Sequence, residues 1–187
     1  MGSRRVAGGR LRDGTEDRIF LTFDDGPDPI WTPRILEVLH HSRARATFFV
    51  ISPLALRFSH LVRRMIRAGH GVELHCAEHI RHTELTRAEV EADARGGLED
   101  LHALGVRPRL WRPPWGVLTP QTQAVAKDLG LELVSWILDT HDGLGPGARR
   151  SGCGETVALI EQLVTHARSL GCEPYPVDVP YAALWSG

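Results

Sequence analysis

The sequence has almost no lysine, few cysteines and no long apolar run. Its 187 residues carry 22 Lys and Arg against 23 Asp and Glu, which leaves a formal net charge of −1, and Lys127 is the only lysine. A chain so close to neutrality gives no electrostatic reason to expect binding to nucleic acid or to an anionic membrane. No segment approaches the roughly 20 consecutive apolar residues that cross a bilayer. We therefore expect neither a nucleic-acid partner nor a membrane partner.

Cysteine usage and the first residues bear on the compartment. Cys76, Cys153 and Cys172 cannot all pair with one another, and their spacing matches no zinc-knuckle pattern. A reducing compartment is therefore the simpler expectation. The first ten residues include arginines but lack the apolar stretch of a secretory signal. We expect a cytoplasmic protein, although a secreted protein whose signal had been removed would look the same.

The pattern of apolar segments predicts an α/β protein. A hydrophobic content of 42% in 187 residues suits one compact domain. Strand-like and helix-like segments alternate, which favours a parallel sheet or barrel. We expect residues 1–17 to form a flexible arm and 18–187 a single domain. The predicted strands are 19–23, 46–51, 71–75, 109–111, 131–137 and 175–179, and the predicted helices are 33–41, 54–68, 86–104, 120–129 and 155–170.

Two adjacent acids follow the first apolar run, in the segment Thr22-Phe23-Asp24-Asp25-Gly26-Pro27. Neighbouring side chains on a strand point to opposite faces, but a turn at the strand end can direct both acids to one mouth. Acids at the end of a buried strand are costly unless they are paired, hydrogen-bonded or bound to a cation. The motif indicates a functional site, with a plain Asp-rich turn as the alternative.

Two further motifs follow predicted strands. The segment His75-Cys76-Ala77-Glu78-His79 has two histidines four residues apart, and Arg112-Pro113-Pro114-Trp115-Gly116 follows the next short apolar stretch. An Asp and two His give a cation three protein ligands and leave positions open for water or substrate. Cys76, between the histidines, either competes for a soft metal or simply packs.

In chain order, these three motifs resemble the first three motifs of the polysaccharide deacetylase family, also called the NodB-homology or carbohydrate esterase 4 family. The resemblance covers about 19–82 and 107–139. It implies a distorted (β/α) barrel, usually of seven strands; we count six, so whether the barrel is complete stays open. It also implies hydrolysis of the N-acetyl group of an amino sugar or glycoconjugate, with release of acetate and a free amine.

The resemblance assigns the metal to Asp25, His75 and His79. Zinc is the default expectation, but mixed nitrogen and oxygen ligands also accept cobalt, nickel or iron. The same resemblance makes Asp24 the general base and Arg112 the residue that orients it.

The resemblance also gives roles to residues beyond the metal site. The backbone N–H of Trp115 would help to stabilise the oxyanion. A fourth motif spans residues 134–142, in which Trp136 would line the acetyl pocket and Asp139 would tune the catalytic histidine.

The family's fifth motif, an apolar strand ending in Leu-x-x-His, is not found in its usual place. The Gly-rich stretch 143–150 follows Asp142 directly, which accounts for the strand missing from our count. The motif's histidine protonates the leaving amine. His141 is the favoured candidate for this role, as if the fourth and fifth motifs had been joined. His166, in a segment with helical spacing, is the second candidate, and the absence of any acid is the third possibility.

These possibilities leave two alternative functions open. Without a general acid the chain would be a catalytically impaired relative that binds metal and sugar. The same site chemistry would also serve a non-sugar amide.

Overall fold

A computed structural model describes residues 17–136 and 152–177 of the chain. Within these ranges seven strands alternate with six helices, and none of these helices has the length and apolar character needed to span a membrane. The strands are β1 (Asp17–Phe20), β2 (Thr22–Gly26), β3 (Thr47–Ile51), β4 (Gly71–Cys76), β5 (Leu110–Trp111), β6 (Glu132–Leu133) and β7 (Cys172–Tyr175). The helices are α1 (Trp31–His41), α2 (Ser52–Arg57), α3 (Ser59–Arg67), α4 (Arg87–Ala103), α5 (Pro120–Leu129) and α6 (Gly152–Ser169).

The strands form two parallel sheets that share one segment of chain. One sheet has the order β2-β3-β4-β5-β6, and in the other β1 pairs with β7. Only Leu21 separates β1 from β2, so the segment changes its partner at that residue. The predicted single strand 19–23 is wrong in this respect. Through this shared segment the spatial order is β7, β1/β2, β3, β4, β5 and β6, and of the chain between β6 and β7 residues 137–151 lie outside the described residues.

Both faces of the sheet are buried. In β3, Phe48 joins the large cluster between sheet and helices, whereas Phe49 points to the opposite face and packs with Leu110 and Val134. This explains why β3 is apolar along its length rather than alternating. The backbone N–H of Val177 donates to the Thr47 hydroxyl at 2.8 Å, so the chain after β7 returns across the face of the sheet on which Phe49 lies. The predicted α/β fold with a parallel sheet is confirmed.

The helices differ from prediction mainly at their ends. The predicted helix 54–68 divides at Phe58, whose φ of −112° and ψ of 41° are not helical. Helix α1 begins at Trp31, two residues earlier than expected, because the Asp28 carboxylate accepts the Trp31 N–H at 2.7 Å. The capping box predicted for α4 is present: the Thr86 N–H donates to the Glu89 carboxylate at 2.7 Å and the Thr86 hydroxyl accepts from the Glu89 N–H.

The late strands are shorter than predicted or displaced. Within the described part of the predicted strand 131–137, which ends at residue 136, only β6 forms, because the carbonyl groups of Val134 and Ser135 accept from the Arg112 side chain instead of from a neighbouring strand. Among the described residues the last strand lies at 172–175, earlier than the predicted 175–179, of which 178–179 lie outside the described residues. Strand β5 is also short, and the Glu73 carboxylate accepts the N–H groups of Arg109 and Leu110 where a longer strand pairing would be.

Candidate active site

The two adjacent acids of the first motif lie in a bulge of β2. Phe23 pairs with Phe48 and Gly26 with Val50, so β2 has one more residue than β3 between these pairs. Asp25 adopts a left-handed conformation with φ of 68°. A bulge of this kind interrupts the alternation of side chains, so the two carboxylates can have different partners at the same end of the sheet.

Asp25 lies between two histidines. Its Oδ1 is 3.1 Å from Nε2 of His75 and 3.1 Å from Nε2 of His79. One potential ligand atom from each residue lies within 4.8 Å of the others. One carboxylate and two imidazoles are a donor set that suits a borderline divalent cation.

The hydrogen bonds of His75 set its tautomer. Its Nδ1 lies 2.6 Å from the carbonyl oxygen of Arg112, and because a carbonyl only accepts, Nδ1 carries the proton. In the neutral ring this leaves the lone pair on Nε2, the atom that faces Asp25, as a metal-ligating histidine requires. Strand β4 has its own bulge here, since Val50 pairs with Leu74 and Ile51 with Cys76. The extra residue is His75. The clustered donor atoms of Asp25, His75 and His79 fit a divalent metal.

Arg112 is buried and binds four acceptors. Its Nη1 donates to the Thr22 hydroxyl at 2.7 Å and to Oδ1 of Asp24 at 2.9 Å. Its Nη2 donates to the carbonyl of Ser135 at 3.0 Å, and its Nε to that of Val134 at 3.4 Å. The guanidinium therefore holds the carboxylate of Asp24 while joining β2 to the chain after β6.

The loop after β5 forms part of the rim of the site, which is the surface around Asp25, His75 and His79. Trp115 has φ of 61° and is about half exposed, with its ring 5.0 Å from that of His79 and 4.2 Å below the guanidinium of Arg81. Gly116 also has a positive φ, of 63°, and a Cβ there would lie 2.3 Å from the ring of Trp136. Only glycine fits this close approach, which brings Trp136 against the loop.

A side chain of helix α4 holds the loop between His75 and His79. The carboxylate of Asp93 accepts the backbone N–H of Glu78 at 2.6 Å and that of Ala77 at 3.2 Å. Burial raises the pKa of Asp93, and the two N–H donors oppose that rise.

Burial also raises the pKa of Cys76, with the nearby acids Asp93 and Asp25 adding to the effect. The thiol is fully buried and stays protonated, which favours packing over metal binding.

Comparison with known proteins decides the family. The sequence model described as polysaccharide deacetylase matches residues 12–134. The chain belongs to this family. The peptidoglycan-N-acetylglucosamine deacetylase of Bacillus cereus is 31% identical over 156 residues, which span 82% of this chain and 70% of the relative. The chitooligosaccharide deacetylase of a Bradyrhizobium species is 36% identical over 134 residues, which span 71% of this chain and 61% of the relative.

A solved structure shows the same fold. The family 4 carbohydrate esterase from Streptomyces lividans, in complex with acetate, superposes with a TM-score of 0.75 at 26% identity, covering 84% of this chain and 91% of that one. The predicted polysaccharide deacetylase family is confirmed. The predicted reaction, removal of N-acetyl groups from sugars, is the one for which the relatives are named.

Two predicted site residues of this polysaccharide deacetylase, Asp139 and His141, lie outside the described residues. Their roles stay predictions. His166 lies near the end of α6 and is exposed, as its helical spacing predicted. In the same last turn, Arg168 donates to the carbonyls of Ser42 and Arg43, which precede β3. His166 therefore lies at the amino-terminal end of the strands, opposite the cluster of Asp and His, where it cannot act as the acid.

The structure also identifies contacts at the site by residues for which the sequence predicted no role. The Thr22 hydroxyl accepts from Arg112, although Thr22 had been noted only as part of the first motif. Asp93 lies on the buried side of α4, near Val90, Ala94 and Gly97 in helical spacing. An acid on the buried face of an amphipathic helix is the signal that could have found it.

Proposed function

We propose that this protein is a divalent-metal-dependent deacetylase that removes the acetyl group from N-acetylglucosamine units of a glycan or glycoconjugate. The observation that carries the proposal is that two adjacent carboxylates have separate partners. Asp25 contacts two histidines, whereas Asp24 contacts Arg112. Adjacent acids in different environments can have different duties, one as a ligand and the other as a base.

The metal would be held by Asp25, His75 and His79. We propose zinc, with cobalt, nickel or iron as acceptable substitutes for this mixed donor set. Bound there, such a cation would supply Lewis acidity that polarises the acyl carbonyl and makes water more acidic.

The remaining residues would move protons and stabilise charge. Asp24 would take a proton from the attacking water, with its carboxylate oriented by Arg112. The backbone N–H of Trp115 would donate to the oxyanion that develops on the acyl oxygen. Trp136 would line the pocket for the acetyl methyl group. The amide C–N bond then breaks, and His141 would protonate the departing amine, with Asp139 tuning that histidine.

The test is acetate release from soluble substrates by metal-stripped protein. Chitooligosaccharides of several lengths and soluble peptidoglycan fragments are incubated with stripped protein and with protein reloaded with zinc or cobalt. We expect release only after reloading, with loss of metal binding in the His79→Ala variant. Stoichiometric metal binding without acetate from any substrate would contradict the proposed activity. Equal release by stripped and reloaded protein would contradict the metal dependence.

A further inference from the structure

The two histidines of the cluster are held in different ways. The side chain of His75 extends from β4, is 2% exposed and has its ring fixed by the Arg112 carbonyl. His79 lies on the loop after β4, and its side chain is 27% exposed. The position of His79 relative to His75 therefore depends on what holds the intervening loop.

Asp93 provides that hold from α4. Its Oδ1 accepts the Glu78 N–H at 2.6 Å and the Ala77 N–H at 3.2 Å, and its Oδ2 lies 3.3 Å from the Ala77 nitrogen. Both bonded N–H groups belong to residues between the two histidines. Hydrogen bonds to an ionised carboxylate are about twice as strong as neutral ones.

Helix α4 is itself fixed against β4. Gly97 is one turn beyond Asp93 on the same face, and a Cβ on it would lie 2.6 Å from Cδ1 of the buried Leu74 and 3.7 Å from the nitrogen of Ala77. Any larger residue would hold the helix away from the strand end. The close approach therefore sets the distance from the Asp93 carboxylate to the loop.

We propose that Asp93 is a positioning residue for the metal centre: by binding the backbone of Ala77 and Glu78 it holds His79 in register with His75 and Asp25. This inference rests on the proposed function, because it assumes that these three residues bind the metal. The hydrogen bonds of Asp93 go to backbone N–H groups and not to a side-chain atom of Asp25, His75 or His79. Its effect is on the geometry of the loop and hence on metal affinity.

The experiment compares cobalt binding by two variants of α4. Asp93→Ala removes the hold on the loop. Asp100→Ala is the matched control, because the Asp100 carboxylate also joins α4 to another element, accepting from the Ser52 hydroxyl at 2.7 Å. Cobalt is titrated into metal-stripped protein and followed by its visible absorption, while thermal unfolding of the apoproteins reports stability.

We expect Asp93→Ala to weaken cobalt binding by about 10–100-fold, as loss of an outer-shell partner typically does. Asp100→Ala should lower stability without changing cobalt affinity. Asp93→Asn retains one acceptor oxygen and should show a smaller defect. Activity of Asp93→Ala should recover substantially when cobalt is raised far above its dissociation constant, because the variant keeps all three proposed ligands.

Wild-type cobalt affinity in Asp93→Ala, or an equal loss in Asp100→Ala, would overturn the inference. The His79→Ala variant separates this failure from failure of the proposed function. If cobalt binds His79→Ala as tightly as wild type, the metal assignment itself is wrong, and the role of Asp93 falls with it. If only His79→Ala loses affinity, the metal site stands and Asp93 has no positioning role.

Discussion

The backbone carbonyl of Arg112 lies 2.6 Å from Nδ1 of His75, while the side chain of the same arginine donates to Asp24 at 2.9 Å. One residue therefore fixes the tautomer of a proposed metal ligand and the orientation of the proposed base. Because both bonds originate from the end of β5, the relative positions of ligand and base follow from the sheet rather than from a mobile loop.

Arg112→Lys should impair both stability and activity although it keeps the charge. An ammonium group cannot reproduce the planar fork that reaches four acceptors. Each buried carbonyl left without a donor costs about 1–3 kcal/mol, so we expect a clear fall in the midpoint of thermal unfolding and slower acetate release. A variant that unfolds and turns over like wild type would show that the guanidinium geometry is unimportant.

Asp24→Asn should separate catalysis from metal binding. The amide oxygen can still accept from Arg112, but the group can no longer take a proton. We expect turnover to fall by roughly 10²–10⁴-fold, the usual contribution of a general base, while metal content measured by elemental analysis stays at the wild-type level. Unchanged turnover would remove Asp24 from the role of base, and lost metal would instead make it a ligand.

His141→Ala and His166→Ala test the source of the general acid. If His141 protonates the leaving amine, its replacement should slow acetate release by roughly 10²–10⁴-fold and remove one limb of the pH–rate profile. His166 lies at the opposite end of the strands, so its replacement should leave the rate unchanged. Wild-type rates in both variants would favour an enzyme that works without a histidine acid.

Gly116→Ala should damage the rim of the site through Trp136. Its positive φ alone costs about 1–2 kcal/mol for a residue with a Cβ, and the new methyl group would also displace the Trp136 ring. Gly130→Ala is the matched control, because Gly130 has φ of 67° with open space around it. We expect both variants to lose stability, but only Gly116→Ala to lose activity, by up to about 10²-fold. Equal activities would mean that Trp136 does not shape the acyl pocket.

Two buried histidines should make the fold sensitive to acid. Burial lowers the pKa of His70 and of His82 from 6.5 to about 4, with Arg45 adding to the effect at His70 and His75 at His82. The native state therefore holds both rings neutral while the unfolded chain takes up protons below pH 6.5. The stabilisation is complete above that pH and is lost as the pH falls toward 4.

The measurement is the midpoint of thermal unfolding between pH 7.5 and 4. His82→Leu should reduce the fall, because it removes one titrating ring and a buried Nε2 for which the described residues supply no partner. The exposed His60 provides the control: His60→Leu should keep the wild-type slope. An equal slope in all three proteins would assign the acid sensitivity to other groups.

The residues that the structure brings together belong to motifs at or just after the carboxyl ends of strands, and the sequence shows these motifs directly. Parallel strands place their carboxyl ends together, so Asp24, Asp25, His75 and Arg112 could be expected to meet. The assignment of Asp25, His75 and His79 as metal ligands rests on the resemblance to the polysaccharide deacetylase family. The apolar runs predicted the α/β class, because a buried parallel strand is apolar along its whole length.

Register and partner exchange could not be predicted. The bulges at Asp25 and His75 depend on how each strand pairs with β3, which hydrophobic periodicity does not encode. The division at Leu21 likewise reflects a change of partner, not a change of composition. The sequence marks Asp93 only as an acid on the buried face of α4, and its role depends on the close packing of α4 against β4.

The pairing of β1 with β7 has a consequence for synthesis of the chain. Asp17 pairs with Cys172 and Phe20 with Tyr175, so β1 leaves the ribosome long before its partner exists. Among the described residues the other sheet ends at Leu133, and its strands with their following loops already carry the proposed base and metal ligands. In a growing chain the proposed metal ligands and base can therefore come together before β7 is made. Until β7 is made, one edge of β1 remains open to wrong pairing with other chains.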